Sequence, residues 1–116
     1  AGGASGPSTE ILPRMAELAQ SMFSDSIDAF VNRDGTEAQS QHLVFRELDS
    51  LHEELREDVQ EGLKPGGNVS PDVGTSLLEV GRSLELIGEY ALDIANYVTR
   101  LFPPEEGGGD LGGEAE

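Results

Sequence analysis

Residues 83–96 read Ser-Leu-Glu-Leu-Ile-Gly-Glu-Tyr-Ala-Leu-Asp-Ile-Ala-Asn. Leu84, Ile87, Ala91, Ile94 and Ala95 recur at spacings of three and four, which is the period of a helix with one apolar face. Within that repeat Glu85, Glu89 and Asp93 stand at i, i+4 and i+8. Like charges four apart on a helix destabilise it by roughly 0.2–0.5 kcal/mol per pair. A stripe of this kind is either tolerated in water or compensated by a cation.

Outward from this stretch the same periodicity extends from about 70 to 102. Ser70 is placed to cap the helix, with Pro71 at its first position and Asp72 in its first turn. Pro103-Pro104 forbids continuation. The expected seam includes Leu77, Val80, Leu84, Ile87, Ile94, Val98 and Leu101. It also holds Gly81 and Gly88, one heptad apart, each costing about 1 kcal/mol of helix propensity. That cost is offset where another helix must approach closely.

Two more helices precede it. Residues 10–33 carry Ile11, Leu12, Met15, Leu18, Ala19, Met22, Phe23, Ile27, Phe30 and Val31 at helical spacing. Ser8 or Thr9 is the candidate cap, and Asn32-Arg33-Asp34-Gly35 supplies turn chemistry at the end. Residues 36–63 repeat Val44, Leu48, Leu51, Leu55, Val59 and Leu63, with Thr36 as the candidate cap and a charged opposite face. No strand alternation occurs. Short links imply antiparallel neighbours, so the expected fold is all-α, an up-down-up three-helix bundle. Residues 1–9 (AGGASGPST) read as flexible. Residues 103–116 carry five acids, five glycines and no base, and read as a disordered acidic tail.

The 116 residues hold 7 Lys and Arg against 23 Asp and Glu, a net charge of −16. This excludes ordinary phosphate-backbone contact with nucleic acid and docking on anionic lipid. The charge suits a salt-rich cytoplasm, where repulsion is screened; a GC-rich source that favours Arg over Lys explains the single lysine equally well. With no cysteine, neither a disulfide framework nor a thiolate metal site is available. No apolar run is long enough to span a bilayer, no signal peptide is visible, and the expected location is cytoplasmic. The chain does not begin with Met, as a trimmed chain or a piece of a longer protein would.

Enzyme chemistry finds no support. A ferritin-like di-iron site needs Glu-x-x-His on two helices; the nearest pattern, Asp49-x-x-His52, occurs once. No glycine-rich phosphate loop follows a strand.

Ser83 to Ile94 resembles the third-helix signature of PhoU-type domains, S-[IL]-E-R-I-G-D-x-x-x-N-I. Leu86 stands for the arginine, Glu89 for the aspartate and Asp93 for the asparagine. Ile27-Asp28-Ala29-Phe30-Val31-Asn32-Arg33-Asp34 is similar to the end of the family's first helix, and Glu37-Ala38 to the start of its second. The resemblance covers about 12–102. It implies a regulator that acts by protein contact: a negative regulator of phosphate uptake that touches a membrane transporter subunit and, in many bacteria, a sensor kinase. Similar domains accompany potassium transport, so a metal-binding or coiled-coil interaction module of another ion transport system is the alternative.

The resemblance also implies a divalent, iron or zinc site on the acidic motifs. Here Glu85, Glu89 and Asp93 would be completed by Asp49, with His52 three residues further on. Phe45 stands where the family's second helix carries its first acid, and His42 is the other histidine. Most family members hold two repeats, and this chain has room for one. A homodimer or pairing with a second PhoU repeat is therefore expected, with Gly81 or Gly88 in the joining seam.

Overall fold

The structure, a computed structural model, describes residues 10–104. It contains α1 (Ile11–Val31), α2 (Gly35–Leu63) and α3 (Pro71–Leu101), with no strand among the described residues. The expected spans differ from these by no more than two residues at any end. The expectations for residues 1–9 and for the tail beyond Pro104 lie outside the described residues.

Cross-helix contacts fix the direction of the chain. Arg14 reaches Glu47 at 2.9 Å. His42 bonds Asn96 at 3.0 Å, and His52 bonds Glu85. Between α2 and α3 one residue number rises as the other falls, and the three-residue link 32–34 turns α2 back along α1, so α2 runs against both α1 and α3. The bundle is up-down-up, and α1 and α3 are parallel.

Capping chemistry sets the helix starts. Asp34, not Thr36, caps α2: its Oδ1 accepts from the Glu37 N–H at 3.0 Å. Aspartate at this position satisfies an amide left without a helical partner, and α2 accordingly begins at Gly35. Ser70 caps α3 as expected, its Oγ accepting from the Val73 N–H at 3.3 Å with Pro71 behind it. Glu10 precedes α1 and makes no side-chain cap; Ser8 and Thr9 lie outside the described residues.

The core is two clusters. The larger centres on Met15, Met22, Leu48, Leu55 and Val59, all fully buried. The smaller, at the α1–α2 turn, is built from Ala29, Ala38, Ala95 and Val98, and these short side chains draw the three helices together.

The apolar seams are wider than the core. Phe23, Ile27, Phe30 and Val31 of α1 are exposed, as are Val80, Ile87 and Leu101 of α3 and Leu63 of α2. Each helix has only two neighbours, which cover less of its circumference than the apolar arc spans. Gly81 and Gly88 also act differently from the expected joining seam: they face α2 within the chain. A Cβ on Gly81 would lie 2.5 Å from Leu55 Cδ2, and one on Gly88 would lie 2.5 Å from Leu48 Cδ2. The two glycines let α2 and α3 pack closely against each other.

Candidate functional site

Halfway along the α2–α3 contact a polar cluster interrupts the apolar packing. His52 comes from α2, one helical turn after Asp49, and Glu85 comes from α3, one turn after Gly81. The missing side chain at Gly81 makes room for the imidazole, since a Cβ there would stand 3.3 Å from His52 Cδ2. His52 is 8% exposed, and its Nδ1 meets Glu85 Oε1.

The electrostatics favour neutral partners. Burial pushes the Glu85 carboxyl up to about 7, helped by its hydrogen bond with Asp49 and by the negative charges of Asp49 and Glu89; Arg56 opposes the shift. Burial also lowers the His52 pKa, and Arg56 works in the same direction. His52 Nδ1 and Glu85 Oε1 share one hydrogen bond, and a Glu85 that keeps its proton donates to Asp49. The cluster is thus a short chain of hydrogen bonds between α2 and α3.

The four candidate metal ligands are not gathered as one set. Glu85 is close to Asp49, whereas Glu89 and Asp93 lie on the exposed side of α3. Among the described residues, no three of His, Asp and Glu converge where a metal ion could sit. Phe45 explains part of this. Its ring is half-buried and packs against Gly88, where a Cβ would lie 3.3 Å from Phe45 Cδ1. An apolar ring thus fills the place from which a further carboxylate would approach the stripe. The residues present do not fit a multinuclear metal. His42 stands apart, turned to Asn96.

Sequence reasoning brought His52 to the face of Asp49 but gave no sign of its pairing with Glu85. The available signal was Gly81: a helical glycine four residues before a half-buried acid marks space for a bulky neighbour.

The order and length of the helices and the α3 motif are those of one PhoU repeat, and the PhoU domain profile matches residues 12–98. The chain belongs to the PhoU domain family. The matched segment takes in nearly all of α1, the whole of α2 and α3 up to Val98. PhoU domains form a regulatory, non-enzymatic family, and membership points to a role in phosphate-transport regulation. No curated protein and no solved structure matches the chain. Among the described residues of this PhoU domain, no helix is long and apolar enough to cross a membrane.

Proposed function

We propose that this PhoU domain acts in the cytoplasm as a negative regulator of phosphate uptake, by contact with a membrane transporter subunit and with a sensor kinase where one is coupled to that transporter. The observation that carries the reading is the family match across 12–98. The physical chemistry agrees with it. A chain of net charge −16 is unsuited to nucleic acid or anionic lipid. The polar cluster at His52 and Glu85 is largely enclosed between helices and offers no open substrate site.

Uptake measurements test the proposal. Removing the gene from its own organism should raise phosphate uptake in phosphate-replete cells, and returning it should restore the lower rate. Rubidium uptake, measured in the same cells as a potassium tracer, should not change. A change in rubidium with none in phosphate would transfer the protein to potassium transport; no change in either would reject the regulator reading.

A further inference from the structure

Carboxylates one turn apart on each of two facing helices can share a cation in a bundle. The α2–α3 contact of this chain comes within one residue of that arrangement. α3 supplies Glu85 and Glu89, four residues apart. α2 supplies Asp49, which is hydrogen-bonded to Glu85, and the negative charges of Asp49 and Glu89 both act on the Glu85 carboxyl. The remaining corner is the position one turn before Asp49, and it holds Phe45.

Phe45 changes more than the number of acids. Its ring is half-buried against Gly88, where a Cβ would stand 3.3 Å from Cδ1 and 3.4 Å from Cε1 of the ring. Gly88 lies between Glu85 and Glu89 in the chain, so the ring covers the backbone that carries the two acids. A hard cation takes oxygen ligands and keeps several waters of its own, and an aromatic ring offers no oxygen and excludes that water. Glu85 is in addition engaged by His52, while Asp49 and Glu89 are left exposed. Among the described residues no three acids or histidines converge as ligands.

We infer that Phe45 is the residue that closes the cation site in this PhoU domain, so that α2 and α3 are joined by the Phe45–Gly88 contact and the His52–Glu85 bond in place of a shared metal ion. The domain thereby departs from the metal chemistry that its family motif implies, and the departure is made by one side chain. A carboxylate at position 45 is then sufficient to open the site, because Asp49, Glu85 and Glu89 already stand at the other three corners.

Equilibrium dialysis against Mn²⁺ or Zn²⁺, read by plasma mass spectrometry, tests the inference in 1 M NaCl, where general screening by the acidic surface is saturated. Wild type should bind no more metal than Glu89→Gln, and EDTA should leave its thermal midpoint unmoved. Phe45→Glu should bind about one ion per chain or more, and its midpoint should rise with metal and fall back with EDTA, since a ligand stabilises the folded state it binds. Phe45→Gln, of the same length without the charge, should behave as wild type. Adding Glu89→Gln to Phe45→Glu should remove most of the gain. A Phe45→Glu chain that is unfolded alone should fold when metal is added, because binding free energy is then folding free energy. Wild type that binds metal beyond Glu89→Gln and loses stability in EDTA overturns the proposal. So does a Phe45→Glu chain that binds no more metal than Phe45→Gln, or that stays unfolded in its presence.

Discussion

The α2–α3 contact and the outer α1–α3 face are built from the same helix, and they differ in nearly every physical respect. Toward α2, α3 presents glycines and alanines, so the backbones are close, and the polar cluster at His52 and Glu85 is hydrogen-bonded. Toward the outer face, α3 presents Tyr90, Tyr97 and Leu101, large side chains that none of the described helices covers. Small residues mark where the chain packs on itself, and large apolar residues free of charge mark where it is still open. An apolar position on a helix is not by itself a core position; the size of the side chain and the number of neighbouring helices decide which it becomes.

The sharpest way to break this comparison is to truncate one apolar residue on each side. Leu48 is fully buried against Gly88, so Leu48→Ala should lower the unfolding free energy by about 2–5 kcal/mol. Phe30→Ser should change it by less than about 0.5 kcal/mol, as exposed substitutions do. Urea titrations of the two variants check this; similar losses would mean that the outer face is part of the core.

Glu85 sharpens the picture of the closed side. Folding raises its pKa to about 7, so between about 4.5 and 7 the folded chain holds a proton that the unfolded chain has released. Stability from this group therefore falls as pH rises through that window, and the full cost is present above 7. His52 acts in the opposite sense, because burial keeps it neutral and stability falls as pH drops below its ordinary value. Glu85→Gln keeps the hydrogen-bonding shape and removes only the first effect. At pH 8 the variant should be more stable than wild type by up to ~3 kcal/mol, the 2.5-unit shift from 4.5 to about 7 converted to free energy. At pH 4 the two should converge. A pH-independent difference would mean that Glu85 is solvated in the folded state.

The smallest effect is expected from metal. In molar monovalent salt, Mn²⁺, Fe²⁺ and Zn²⁺ should leave the thermal midpoint of wild type and Glu89→Gln equally unmoved, because a ligand stabilises only the folded state it binds and the acidic stripe is not gathered into a site. A midpoint that rises for wild type alone would restore Glu89 as a ligand.

The periodicities of 10–33, 36–63 and 70–102 carried the fold, because helix period and breaker residues are local properties of the chain. Ser70 and Pro71 were legible for the same reason. The cap of α2 is not legible in the sequence, because Thr36 and Asp34 are both good capping residues and the choice depends on the turn at Arg33, where φ is positive. The site was less legible. Asp49 and Glu85 are legible as acids, but their meeting with His52 depends on the register between α2 and α3, which Gly81 fixes through space. The division of the apolar positions into buried and open was not legible at all, since it depends on how many helices surround each one.

Thiol labelling compares the two regions most directly, because the chain has no cysteine of its own. Ser83→Cys places a thiol on the exposed stripe of α3, and Ala91→Cys places one on its buried side. The Ser83→Cys thiol should react with a maleimide at the rate of an open thiol, and the Ala91→Cys thiol only as fast as the bundle opens. Equal rates for the two thiols would contradict a helix that is closed on one side and open on the other.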